Sequence, residues 1–170
     1  AIGQRAVALL DGGRAAARAE RVPMASGPEE PWRAAPPYPF AGPGLAAPTV
    51  TIDEVDARRS DRTTRILDAR DARRFRGEEE PFDPVAGHVP GAVSAPYADG
   101  LDAGGRVRPA DVLRARFRAL LGDVPPEHAI VHCGSGVTAC HTLLQLEVSG
   151  LLCASLWVGS WSELCLQDRP

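Results

Sequence analysis

A chain of 170 residues, 44% of them hydrophobic, is long enough for one full α/β domain with an extension and short for two. Its 19 basic and 22 acidic residues leave a net charge of -3, which excludes a broad attraction to nucleic acid or acidic membranes, and no run of residues approaches the length of a membrane span. Every basic residue is arginine, so no lysine is available as a Schiff-base former and any cation at a site must be a guanidinium.

In chain order, residues 6–10 read as a short apolar strand, Asp11-Gly12-Gly13 as a turn, and 14–20, rich in alanine, as a helix. Residues 23–48 hold seven prolines between Pro28 and Pro48, which disfavours regular structure and marks a linker. Trp32, Tyr38 and Phe40 within it predict an extended strap packed along the domain surface. From Thr49 strand and helix signals alternate: Thr51-Ile52 as a strand with a helix from Asp53, then strands at 64–67 and 92–95. A helix over 109–121 follows, with Leu113, Phe117, Leu120 and Leu121 on one face. Strands at 129–132 and 154–158 flank a helix over 137–149. Such alternation implies a parallel sheet. In the last helix, Val137, Cys140, Leu144 and Val148 recur at helical spacing and predict the buried face, with Cys140 in the core and His141, Gln145 and Ser149 on a more polar side.

Cys133 ends the apolar run Ala129-Ile130-Val131-His132 and precedes Gly134-Ser135-Gly136-Val137-Thr138. A buried strand, a tight glycine loop with inward amides and the start of a helix together favour a thiolate over a thiol and hold an anion. A cysteine that is merely a small buried hydrophobe needs no Gly-x-Gly behind it. No arginine lies between Cys133 and Gly150, which argues against phosphoryl chemistry, where a guanidinium clamps the phosphate. Amides with the hydroxyls of Ser135 and Thr138 suit a compact anion such as a persulfide sulfur. His132-Cys133 and Cys140-His141 have zinc-ligand types, but a strand and two helix faces do not converge four ligands. Four cysteines without paired short spacings, and an apolar run at 6–10 too short for a secretion signal, predict a reducing cytoplasm.

The run CGSGVT from Cys133 to Thr138 resembles the active loop of the rhodanese-fold 3-mercaptopyruvate sulfurtransferases. Leu67-Asp68-Ala69-Arg70, Arg74-Phe75-Arg76-Gly77, Gly87-His88-Val89-Pro90-Gly91-Ala92 and Gly159-Ser160-Trp161-Ser162-Glu163 match the family's other motifs in order. The resemblance implies an α/β, rhodanese-like three-layer fold with a central parallel sheet flanked by helices. It divides the chain into 1–22, the end of a first module; 23–48, the linker; and 49–170, the catalytic domain, so that a truncated tandem protein is expected. The implied activity is transfer of a sulfane sulfur from 3-mercaptopyruvate or thiosulfate to a thiol or cyanide through a persulfide on Cys133, with no cofactor and no metal.

The same resemblance makes residues 134–138 the anion-binding loop and Arg74 the grip on the donor's carboxylate, with Asp68, Arg70 and Arg76 as secondary candidates. Asp68 and Arg70 read first as a structural pair that ties down neighbouring loops, and His88 as a turn-fixing residue. Ser135 corresponds to the serine of a cysteine-serine-aspartate arrangement whose aspartate comes from a first module; a turn residue bonding its own loop is the competing reading. The family places a second arginine nine residues after the first, where this chain has Asp83; this weakens the case for mercaptopyruvate and leaves Arg73, Arg76 or a thiosulfate donor to make up for it. The expected partners are a small sulfur donor and a thiol acceptor, with self-association through an apolar face left by the absent module. A persulfide carrier without turnover, or an inactive remnant, is the alternative; arsenate reductase or phosphatase chemistry is disfavoured by the missing loop arginine.

Overall fold

The computed structural model describes residues 8–28 and 48–167. The elements in order are α1 (Gly13–Ala19), β1 (Thr49–Val50), α2 (Ile52–Arg58), β2 (Arg65–Asp68), α3 (Ala72–Phe75), β3 (Val93–Ser94), α4 (Ala110–Leu121), β4 (Ala129–His132), α5 (Val137–Val148), β5 (Ser155–Trp157) and α6 (Ser160–Cys165). The five strands pair in parallel in the order β1-β5-β4-β2-β3, with β4 in the middle. The expected α/β three-layer fold is therefore present.

Pleating explains why both faces of this sheet are covered. Successive strand residues point to opposite sides. Leu67 and Val131 face a core with Leu113 and Phe117 of α4 and Leu146 of α5. Their neighbours Ile66 and Ile130 face a second core with Val55 of α2 and Trp161 of α6. A sheet buried on both sides needs apolar residues at successive positions, which is what Ile66-Leu67 and Ile130-Val131 supply. Among the described residues no helix is long and apolar enough to cross a membrane.

Several expectations are corrected. Ala8–Leu10 form no strand; Leu10 O accepts from Gly13 N and closes the turn into α1. Residues 6 and 7, and the strap expected of Trp32, Tyr38 and Phe40, lie outside the described residues. Thr51-Ile52 is not a strand: Thr51 caps α2, its Oγ1 accepting from Glu54 N while Glu54 Oε2 accepts from Thr51 N at 2.7 Å. This is a capping box, and it overrides the β-propensity of Thr and Ile.

The face expected to be buried on α5 is largely the exposed one. Val137 is 73% exposed, Cys140 and Val148 are also exposed, and Ala139, Thr142, Gln145 and Leu146 are buried. The buried polar donors find partners: Gln145 Nε2 donates to Tyr97 O at 2.9 Å, and Ser149 Oγ donates to Leu146 O at 2.7 Å, while Gln145 Oε1 has none among the described residues. Small Ala139 and Thr142 let the helix sit close to the sheet.

Candidate active site

Parallel sheets present their sites at the strands' C-terminal edge. Cys133 leaves that edge from β4, the middle strand, and Arg74 reaches it from α3, which follows the neighbouring strand β2. Asp71 caps α3 by accepting from Arg73 N. The two side chains meet in a cleft of about 390 Å³ lined also by Gly134, Ser135, Val137, Thr138, Phe82, Asp83 and Ser162. Cys133 is only 2% exposed, and it forms part of the wall of this open cleft.

The loop is pinned from below by α6. Trp161 N donates to Cys133 O at 3.0 Å and Ser162 N to Gly134 O at 2.8 Å. Cys133 N donates to Ser160 Oγ at 3.2 Å, and the Ser160 hydroxyl donates to Trp157 O at 2.8 Å. Ser160 adopts φ +55, rare for a residue with a side chain, and is wholly buried. Gly136, with φ +81, opens α5; a Cβ there would lie 2.6 Å from Val158 O, so the tight approach of loop to β5 requires glycine. The amide N–H groups of residues 134–138 donate to nothing among the described residues. They are the unpaired donors expected where a loop opens a helix, and they provide capacity for an anion.

Of the predicted site residues, Cys133, Gly134, Ser135, Val137, Thr138 and Arg74 line the cleft, and Gly136 shapes its loop. The Ser135 hydroxyl is exposed and makes no hydrogen bond among the described residues. Asp68 and Arg70 lie beneath, both buried. Arg70 Nη2 and Nε bond Asp68 at 2.7 and 3.1 Å, Nη2 also donates to Gly87 O, and the guanidinium lies 4.6 Å from the Trp161 ring centroid. They tie the 80–90 loop to β2 and do not line the cleft. Arg73 and Arg76 are exposed and paired with Glu78 and Glu79, and neither lines the cleft. His88 stacks on Phe75 and its Nδ1 lies 2.7 Å from Phe75 O, fixing the turn as expected.

Three participants carried no assigned role in the sequence. Glu80 bridges the arginines, accepting from Arg70 Nη1 at 3.2 Å and from Arg74 Nε and Nη2 at 3.1 and 2.6 Å. Burial alone would raise its pKa, but the Arg74 hydrogen bond, the Phe82 and Asp83 amides and the Arg74 charge bring it below the usual carboxylate range. Ser160 holds the backbone of Cys133. His132, wholly buried, places Nδ1 3.2 Å from Cys133 O; burial pushes its pKa down, against the pull of Asp68, and keeps the ring neutral. The acidic run 78–80 was visible, but nothing in it distinguishes the inward-turning Glu80 from its exposed neighbours.

A rhodanese-like domain model matches residues 51–165. A probable 3-mercaptopyruvate sulfurtransferase of Pseudomonas aeruginosa is 42% identical over 163 residues, 96% of this chain and 56% of that protein. The human 3-mercaptopyruvate sulfurtransferase is 33% identical over 100% of this chain and 56% of its own length. The solved 3-mercaptopyruvate sulfurtransferase from Leishmania major superposes with a TM-score of 0.75 at 31% identity, covering 94% of this chain and 44% of that one. The chain spans about half the length of the curated relatives it matches.

Proposed function

The chain belongs to the rhodanese-like domain family, and from that premise we propose that it is a sulfurtransferase whose Cys133 carries the sulfur. The observation that supports this reading most is the coincidence, at one cleft, of Cys133 with a following loop, 134–138, whose five amide N–H groups have no acceptor among the described residues. The Cys133 thiolate attacks the outer sulfur of a donor, a new S–S bond forms, and the remainder leaves with the bonding electron pair as an anion. A thiol or cyanide then attacks the outer sulfur of the persulfide and returns the thiolate. Negative charge passes the same point in both half-reactions, so preorganised amides of 134–138 serve both. Ser135, its hydroxyl uncommitted, donates to the migrating sulfur.

The test is thiocyanate release from cyanide with 3-mercaptopyruvate and with thiosulfate, comparing the chain with Cys133→Ser. Turnover lost in the variant supports the reading. Identical background rates in both proteins with both donors overturn it. Sulfur taken up by Cys133 without turnover would assign the chain to sulfur carriage.

A further inference from the structure

Among the described residues Arg74 is the single arginine lining the cleft, and its charge is already answered. Its Nε and Nη2 are held by Glu80, and Nη2 donates a second time, to Asp83 Oδ2 at 3.2 Å. Glu80 is shared with Arg70, which is itself paired with Asp68. Among the described residues the cluster therefore sets two guanidinium groups against three carboxylates, and with His132 held neutral it is net negative beside Cys133. A donor recognised only through negative charge meets a satisfied cation with a carboxylate at its side.

Two capacities are left over. Both N–H groups of Arg74 Nη1 and the Oδ1 oxygen of Asp83 have no hydrogen-bond partner among the described residues. Gly134 lies beneath the guanidinium, which is 3.5 Å from where a Cβ would stand, so the residue after Cys133 places no side chain against Arg74. A double donor and an acceptor carried by one ion pair are the groups that a carboxylate and an ammonium on one carbon atom require.

We infer that Asp83 sets the specificity of this cleft, selecting a zwitterionic α-amino-acid persulfide as sulfur donor, its carboxylate on Arg74 Nη1 and its ammonium on Asp83 Oδ1. This rests on the sulfurtransferase reading of Cys133. In the loading step the thiolate attacks the terminal sulfur of the donor's S–SH group and forms a Cys133–S bond. The donor's own S–S bond breaks, and the amino-acid thiolate departs with its electron pair. The terminal sulfur keeps its proton on Cys133, and no oxidant or reductant is consumed.

The experiment follows loading of Cys133 by time-resolved intact mass, with Cys133→Ser as background, using cysteine persulfide, N-acetylcysteine persulfide and 3-mercaptopyruvate. The acetylated donor keeps the carboxylate and the sulfur chemistry but lacks the ammonium. The expected result is a second-order loading rate about tenfold higher for cysteine persulfide than for its acetylated form, the value of one charge-assisted hydrogen bond. Asp83→Asn, nearly isosteric, should abolish that ratio, and Asp83→Arg should raise loading from 3-mercaptopyruvate. Equal rates from the two persulfides in the unmodified chain, or a ratio that survives Asp83→Asn, overturn the inference while leaving the proposed function standing. Loading from 3-mercaptopyruvate alone does the same. Absence of loading from every donor overturns both.

Discussion

Ser160 offers the sharpest test of how Cys133 is held. Its hydroxyl accepts from the amide of Cys133 and donates to Trp157 O inside a wholly buried site, from a backbone at φ +55. Ser160→Ala leaves the Cys133 N–H buried without a partner, a desolvation cost of about 1–3 kcal/mol. The left-handed strain, about 1–2 kcal/mol for a residue with a Cβ, remains in that variant. Ser160→Gly loses the same hydroxyl but relieves the strain. The expected losses are therefore about 2 kcal/mol for alanine and about 1 kcal/mol for glycine. Urea unfolding with an unchanged m value reads both from the midpoints. Ser160→Ala within about 0.5 kcal/mol of the parent, the ordinary range for neutral surface changes, would refute the reasoning, as would a glycine variant less stable than the alanine one.

Two further outcomes follow from the same geometry. Gly136→Ala should cost more than about 2 kcal/mol, because its Cβ would stand 2.6 Å from Val158 O at φ +81, whereas Gly134→Ala, meeting only the Arg74 guanidinium at 3.5 Å, should leave stability within about 1 kcal/mol of the parent; denaturant titration of the pair checks the contrast. His132 is held neutral by burial, so its folded pKa lies below the unfolded value of about 6.5, and the unfolded chain takes up a proton that the folded one resists. Stability should fall as pH drops below about 6.5, before protonation of the depressed Glu80 adds its own loss at lower pH. His132→Asn, which keeps a donor near the Nδ1 position, should flatten the decline between about pH 6.5 and 5 in thermal melts; an unchanged slope would contradict the burial argument.

The parts of this molecule legible in its sequence are those where local chemistry and tertiary context agree. Ala129-Ile130-Val131 is apolar at successive positions because the middle strand of a covered parallel sheet has no solvent face, and Cys133 follows directly at its C-terminal edge. Arg74 was recognisable from its motif. What periodicity could not give was the orientation of α5, where the larger apolar residues Val137 and Val148 face outward and small Ala139 and polar Gln145 face inward. Close packing against the sheet selects size over polarity once Gln145 has Tyr97 O to bond. Nor could a single sequence show that Ser160 would take a left-handed backbone, since that conformation is imposed by the α6 amides closing on Cys133 and Gly134. The pairing of Asp83 with Arg74 turns on the path of the 78–88 loop, which charge pattern alone does not fix.

In the proposed reaction one sulfur atom travels on Cys133. Incubating the chain with a sulfane-sulfur donor, digesting it without reductant and mapping the peptides by mass tests this directly. The expected result is a gain of one sulfur on the peptide containing Cys133 and on none of those containing Cys140, Cys153 or Cys165, lost on addition of a thiol acceptor and absent from Cys133→Ser. A parent chain that gains no sulfur, or a Cys133→Ser chain that gains as much, would contradict it.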